Sequence, residues 1–264
     1  MSCLLVLRDG PVATVVFNRP ESRNALDPAM RALLRDALLA LETDDDIRCI
    51  VMKGAGEHFM AGGDLKSISA VIDQPPAALH GQFLLRLHDL NSIMYTMRRM
   101  AKPIIASVAG ATAGAGVSLA LAADLIIADE NAFFTLAYCH LGTTPDGGAS
   151  FQLPRVVGIK KAMEIALLGD RVDARAAQAI GMVNFVSATG QLATETNRLA
   201  ERLATGPTRA YGNTKRLLYR SLENEFEAQL QLEAELFADC ATRADFREGV
   251  TAFVEKRRPR FTGK

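Results

Sequence analysis

Three short stretches concentrate the residue types that do chemistry. In His58-Phe59-Met60-Ala61-Gly62-Gly63-Asp64-Leu65 a strand feeds a glycine turn, and Asp64 is placed to cap a following helix. Gly110-Ala111-Thr112-Ala113-Gly114-Ala115-Gly116 repeats the pattern after another buried strand and opens a helix of small residues. Each turn offers a free backbone N–H at a helix start, and two such donors are what an oxyanion hole requires. The third stretch, Leu141-Gly142-Thr143-Thr144-Pro145-Asp146-Gly147-Gly148, carries a lone carboxylate in a turn before an apolar helix. Taken singly, these read equally well as a chain reversal, close helix–sheet packing and a turn aspartate. Together in one α/β chain they favour function.

Two other patterns carry less. Gly54-x-Gly56 hints at a dinucleotide loop, but Phe59 fills the slot of the third glycine. Gly116-Val117-Ser118-Leu119-Ala120 stops one residue short of a nucleophile elbow. A Ser–Asp–His hydrolase of that type needs a late histidine, and none lies beyond His140. Ser118 therefore reads as a small helix residue, and Tyr138 and Cys139 as pocket wall or core.

The elements that must position these residues alternate. Cys3–Leu7 and Val12–Phe17 predict a hairpin around Asp9-Gly10-Pro11. Asp27 and Pro28 open a helix to Leu41, whose Met30, Leu33, Leu34, Ala37, Leu38 and Leu41 share one face. Strands follow at Ile47–Met52, Ile104–Val108, Asp124–Ala128 and Val183–Val186, with a long helix over Ala77–Met100 and another starting near Ala115. After about residue 195 only helical patterns remain: Leu192–Ala204, Thr208–Leu218, Leu222–Cys240 and Ala244–Arg257. The pattern predicts an α/β core over 1–195 and a helical region over 196–264.

Composition narrows the partners. Of the 264 residues 49% are hydrophobic and 23% charged, with 30 basic side chains balancing 30 acidic ones. No global positive field is present to hold nucleic acid or an anionic membrane. Four scattered cysteines without zinc or disulfide spacing, and no signal-peptide pattern, predict reduced thiols in a cytoplasm. The uncharged run Pro103–Ala123 is long enough for a membrane span, but its Ala, Gly, Ser and Thr content predicts a buried strand, turn and helix instead.

The segments HFMAGGDL, KPIIASVAGATAGAGVSLALAADLIIA, LGTTPDGG and GMVNFV, in this order and spacing, resemble the crotonase (enoyl-CoA hydratase/isomerase) superfamily across essentially the whole chain. That resemblance implies a spiral of ββα units, a C-terminal helical region that forms a homotrimer or dimer of trimers, and an acyl-CoA thioester substrate. It implies no cofactor beyond the coenzyme A carried by the substrate.

Carried over by position, the resemblance makes the Gly63 and Ala115 N–H groups the carbonyl donors. It places Arg23, Ala25, Ala61, Gly62, Asp64, Leu65, Tyr138 and Lys256 at the substrate, with Lys256 expected to meet phosphates across a subunit boundary. Hydratases of the family are similar except for glutamates at the Ser118 and Tyr138 positions, which are missing here. Asp146 matches branches in which an aspartate moves protons. AGAGVSLALAADLIIA, LPRVVG and ADFREGVTAFVEKR resemble the epoxyphenylacetyl-CoA isomerase branch in particular. An acyl-CoA isomerase using Asp146 is the expectation; a hydratase, a dehalogenase- or thioesterase-type member, and a CoA binder with little catalysis are the alternatives. Acyl selectivity is expected from Phe83, Leu84, Leu87, His88 and Asn91 on the long helix.

Overall fold

The computed structural model describes residues 2–264. Its strands are β1 (Leu4–Asp9), β2 (Val12–Phe17), β3 (Cys49–Gly54), β4 (Ile104–Val108), β5 (Ala111–Ala113), β6 (Leu125–Asp129), β7 (Phe133–Thr135), β8 (Val172–Asp173) and β9 (Phe185–Ser187). The core helices are α1 (Pro28–Thr43), α2 (Leu65–Ser69), α3 (Pro76–Arg99), α4 (Ala115–Ala122), α5 (Ala149–Val157), α6 (Ile159–Leu168) and α7 (Ala174–Ala179). Helices α8 (Leu192–Ala204), α9 (Thr208–Ser221), α10 (Phe226–Ala241) and α11 (Ala244–Val254) complete the chain.

Six strands form one sheet in the order β1-β2-β3-β4-β6-β9, and β5-β7-β8 form a second, smaller one. Only β1 runs antiparallel in the large sheet, through the expected hairpin. The other pairings are parallel, so helices must cross over and cover the faces. The chain thus turns from large sheet to small sheet and back as strand–strand–helix units. This matches the α/β spiral followed by helices that the sequence resemblance implies.

The uncharged run at Pro103–Ala123 resolves into β4, β5 and α4, and all eight residues of α4 are buried. Among the described residues no helix is long and apolar enough to cross a membrane. β5 is a departure from the sequence reading, which took it for part of a turn. Three residues between Gly110 and Gly114 are too few to show a period of two. β7 and β8 escaped for the same reason. The last strand lies at Phe185–Ser187, two residues later than expected, because Asn184 is used to close the chain onto β6. Its Oδ1 accepts the Ile126 N–H at 2.8 Å and its N–H donates to the Ile126 carbonyl at 3.1 Å.

Charged side chains fasten the helical region to the core. Lys215 of α9 reaches Asp124 at the start of β6, 2.8 Å away, and also donates to the Lys102 carbonyl at 3.1 Å. Asp124 accepts the Ile104 N–H at 2.7 Å as well. Burial pushes its carboxyl above the ordinary value, and the Lys215 ammonium offsets part of that. Arg48, just before β3, donates to Thr208 Oγ1 at 3.0 Å and to the Phe261 carbonyl at 3.0 Å.

Removing the cation alone leaves a buried carboxylate unpaired. Lys215→Met should therefore lower the unfolding free energy by about 3–5 kcal/mol in a denaturant titration, and adding Asp124→Asn should restore most of it. A single-variant loss below about 1 kcal/mol would show that water, not Lys215, satisfies Asp124.

Candidate active site

The two glycine turns meet through one isolated parallel bridge, Met60 with Thr112, and a second such bridge ties Leu26 to Gly63. The Ala113 N–H donates to the Met60 carbonyl at 2.9 Å, and the Met60 N–H donates to the Ala111 carbonyl at 3.3 Å. On the other side, the Leu26 N–H donates to the Gly62 carbonyl at 2.7 Å. The backbones can lie this close because position 116 has no side chain: a Cβ there would stand 2.4 Å from the Met60 carbonyl oxygen. His58 adds a clamp, its Nδ1 accepting the Ala111 N–H at 3.2 Å, which places the ring proton on Nε2.

This zipper leaves two donors side by side on one cleft. Among the described residues, neither the Gly63 N–H nor the Ala115 N–H makes a hydrogen bond. Ala115 is the first residue of α4, so its N–H also carries the positive end of the helix dipole. Having alanine in place of glycine there costs nothing, since the donor is backbone.

The cleft encloses about 530 Å³ and is lined by Ala61, Gly62, Gly63 and Leu65 on one side and by Ala115, Tyr138 and Asp146 on another. Asp146 is half-buried. Its Oδ1 accepts the Tyr138 hydroxyl at 2.7 Å, and its backbone carbonyl accepts the Ser118 hydroxyl at 2.9 Å. Burial pushes the Asp146 carboxyl up from the ordinary aspartate value, with the Tyr138 hydroxyl pulling partly the other way. Tyr138 is driven well above the usual phenol range, by burial first and the Asp146 charge second, so it stays a neutral donor.

Asp64 sits in the opposite environment. It caps α2 by accepting the Lys66 N–H at 2.9 Å and the Ser67 N–H at 3.3 Å, and it pairs with Arg19 at 2.8 Å. Burial works to raise its carboxyl, but Arg19 and the two amides outweigh it and hold it below the ordinary value. Asp64 thus shapes the turn and keeps its charge occupied.

Of the remaining expected contacts, Arg23 and Ala25 lie outside the cleft lining, behind the Gly62 turn, where the Arg23 carbonyl accepts the Ala61 N–H at 2.9 Å. Lys256, beyond the end of α11, also lies outside the lining. From the long helix α3, Phe83, Leu87 and Asn91 face the cleft at four-residue spacing, whereas Leu84 and His88 do not. His140 lines the cleft as an exposed side chain. Ser118 is the residue whose part sequence reasoning missed. Nothing local in Gly-Val-Ser-Leu-Ala reveals a bond to a carbonyl 28 positions away.

Residues 8–264 match the family model described as enoyl-CoA hydratase/isomerase. The chain belongs to that family. Its members are enzymes, and among its relatives is the 1,2-epoxyphenylacetyl-CoA isomerase of Escherichia coli, 40% identical over 96% of this chain and 95% of that one. The trans-2-decenoyl-[acyl-carrier-protein] isomerase of Streptococcus mutans is 34% identical over 97% and 96% of the two chains. A crystal structure of an enoyl-CoA hydratase from Polaromonas sp. JS666 superimposes with a TM-score of 0.92, at 33% identity, covering 98% of this chain and 99% of that one. This enoyl-CoA hydratase/isomerase family member shares the fold with hydratases yet has Ser118 and Tyr138, not acids, next to Asp146.

The raised Asp146 carboxyl has a consequence for stability. Its folded-state pKa lies above its unfolded one, so over the interval between them the native state binds more protons and loses stability as pH rises. Asp146→Asn should accordingly raise Tm at neutral pH, with the gain vanishing in acid below the ordinary aspartate pKa of about 3.9. Calorimetry showing a lower Tm for the variant at pH 7 would mean the Tyr138 bond outweighs burial.

Proposed function

We propose that the protein is an acyl-CoA isomerase in which Asp146 moves a proton while the Gly63 and Ala115 N–H groups hold the thioester oxygen. The observation that carries this reading is the lone, partly desolvated carboxylate of Asp146 in the same cleft as two uncommitted backbone donors. A β,γ-enoyl thioester bound with its carbonyl at the donors exposes an acidic Cα–H. Asp146 takes that proton, and the electron pair moves onto the carbonyl oxygen as an enolate. The pair of N–H groups stabilises that charge where it develops; losing one such donor typically costs about 2.7–4 kcal/mol of barrier. The enolate then collapses with the double bond between Cα and Cβ, and Asp146 returns the proton to Cγ. The same groups serve an epoxide isomerisation of an aryl-CoA, the reaction type named for the Escherichia coli relative.

Tyr138 holds one carboxylate oxygen and leaves Oδ2 for the substrate; among the described residues Oδ2 accepts no hydrogen bond. Ser118 fixes the loop from beneath. Stereospecific water addition requires a second acid–base group to position water, and the two neighbouring sites offer hydroxyls whose pKa values forbid that work at neutral pH. Coenzyme A enters as part of the substrate, with Arg23, Ala25, Ala61, Gly62, Asp64 and Leu65 forming the nucleotide-side rim, largely through backbone. The helical region assembles the chain into a trimer or dimer of trimers, and Lys256 meets phosphates across that interface. Exposed apolar side chains support the assembly: Phe253 is 86% and Val254 74% accessible, beside a cavity of about 390 Å³ walled by Phe246, Val250 and Phe261.

Asp146→Asn should cut isomerisation of a β,γ-enoyl-CoA by about 10²–10⁴-fold while acyl-CoA binding survives. In the parent, the rate should fall on the acid side of a pKa higher than that of an ordinary aspartate. Hydration of crotonyl-CoA should stay below about 1 per second, a tenth of the median enzyme. An Asn variant that keeps half the parent rate, or fast hydration, overturns the mechanism. For the assembly, light scattering should report three or six chains; a monomer at micromolar concentration contradicts it.

A further inference from the structure

The loop between β2 and α1 is wound tightly. A turn of 3₁₀ helix at Pro20–Ser22 is followed by Arg23 and Asn24, both left-handed at φ 51° and 58°. Each such non-glycine residue costs about 1–3 kcal/mol and persists only where its surroundings over-determine it. Asn24 supplies that constraint. It is fully buried, its Oδ1 accepts the Arg19 N–H at 2.9 Å, and its Nδ2 donates to the Ala55 and His58 carbonyls at 2.9 and 2.7 Å. The turned chain brings Leu26 alongside Gly63, where the Leu26 N–H holds the Gly62 carbonyl and the Leu26 carbonyl accepts the Asp64 N–H at 3.2 Å. The Gly62 carbonyl and the Gly63 N–H belong to one planar trans peptide and point in opposite directions. Anchoring that carbonyl on Leu26 therefore aims the Gly63 N–H at the cleft.

Leu26 is held in turn by Arg19. The Arg19 Nη1 donates to the Ala25 carbonyl at 2.6 Å and stands 3.3 Å from Asp27 Oδ2, while Nη2 lies 2.8 Å from Asp64 Oδ2. Ala25 and Asp27 flank Leu26 in the chain, and Asp64 follows Gly63. One guanidinium thus grips both sides of the Leu26–Gly63 bridge. Because Asp27 and Asp64 cap α1 and α2, the same contact ties the two helix starts together. The side chains of Arg19, Asp27 and Asp64 are 20%, 22% and 10% exposed, too shielded for their contacts to be ordinary surface ion pairs. Arg19 does not line the cleft, so anything it does for the reaction passes through Leu26 and Gly63.

We propose that Arg19 is a positioning residue for the reaction: by holding Ala25, Asp27 and Asp64 at once, it fixes the Leu26–Gly63 bridge and so aims the Gly63 N–H at the thioester oxygen. The inference rests on the acyl-CoA reading of the cleft and assigns one of its two donors a support outside the cleft. The fork of the guanidinium is what the task needs, because its partners lie in different directions. A lysine ammonium keeps the charge but offers no planar fork to span two carboxylates and a carbonyl. The effect belongs to the transition state: a donor displaced by about 1 Å costs on the order of 10²-fold in rate, whereas the neutral ground-state carbonyl loses little.

The test compares Arg19→Gln and Arg19→Lys with the parent in two readouts. The first is kcat and KM for a β,γ-enoyl-CoA. The second is the infrared carbonyl frequency of bound butyryl-CoA, which lacks the double bond to be shifted, carrying ¹³C at the thioester carbon. In the parent, the paired donors should lower that frequency relative to free butyryl-CoA. Arg19→Gln should cut kcat by about 10–100-fold, leave KM within about threefold, and abolish much of the frequency shift. Arg19→Lys should fall between the two in both readouts. Arg31→Gln removes a comparable contact, with Asp89 at 2.8 Å, away from the turn and should leave the frequency at the parent value. If Arg19→Gln does not fold, Arg19→Lys carries both readouts. A variant at position 19 with the parent's frequency and kcat, a loss confined to KM, or an equal frequency change in Arg31→Gln overturns the proposal. A shift present in the parent and lost at position 19, without turnover of any enoyl substrate, supports the role of Arg19 while overturning the isomerase reading.

Discussion

Everything at the cleft depends on the contact between the Met60–Gly63 turn and β5. Two backbone segments from separate strand–helix units are stitched by the Met60–Thr112 bridge, and the Leu26–Gly63 bridge secures the outer side. Only in that register do the Gly63 and Ala115 N–H groups point into one space. Unpartnered backbone donors are costly wherever they are shut away from water, so a fold keeps them only where the surroundings over-determine the geometry. Here the constraint is steric as much as hydrogen-bonded. Any side chain at position 116 collides with the Met60 carbonyl, and all of α4 is locked inside the core.

The same logic separates two aspartates of one neighbourhood. Asp64 is surrounded by a guanidinium and two amides, and its charge is spent on holding the turn. Asp146 has one neutral phenol and otherwise burial, so its charge is poorly compensated and available. Environments that push two carboxyls in opposite directions assign them opposite roles. Tyr138 and Ser118 make the difference structural as well as electrostatic: one orients the carboxylate, the other pins the carbonyl of the same residue. Two small hydroxyl residues thereby place a single base, where the family's hydratase pattern uses two acids.

What was legible in the sequence follows from the range of the interactions involved. Helix α1 announced itself through Asp27, Pro28 and a six-residue apolar face, and its cap is made as expected, Asp27 accepting the Met30 N–H at 2.7 Å. The glycine turns and Asp146 were legible because their chemistry is local to a few consecutive residues. The three-residue strands of the small sheet were not, since their pairing is decided by distant partners and their length is below one readable period. Nor were the Ser118–Asp146, Arg48–Thr208 and Lys215–Asp124 contacts, which span 28, 160 and 91 positions and leave no mark on either local pattern. On α3, the sequence offered Phe83, Leu84, Leu87, His88 and Asn91 as one set, and the helical period had no means of telling the face with Phe83, Leu87 and Asn91, which lines the cleft, from its neighbour with Leu84 and His88.

The position of α9 joins the two halves of the structure into one argument. Lys215 and Tyr219 are four residues apart and so share a face of that helix. Lys215 is drawn inward by Asp124, a carboxylate too deeply placed to be left alone. The ion pair fixes the height and rotation of α9, and that rotation delivers Tyr219 against Arg98, which also faces Phe151, in the cavity of about 310 Å³ that shares Asn91 and Gly148 with the cleft. A helix that contributes nothing to the paired donors or to Asp146 therefore sets the far wall of the space beyond them. The C-terminal helical region is in this sense part of the pocket: its docking charge and its aromatic wall are carried on successive turns of one element.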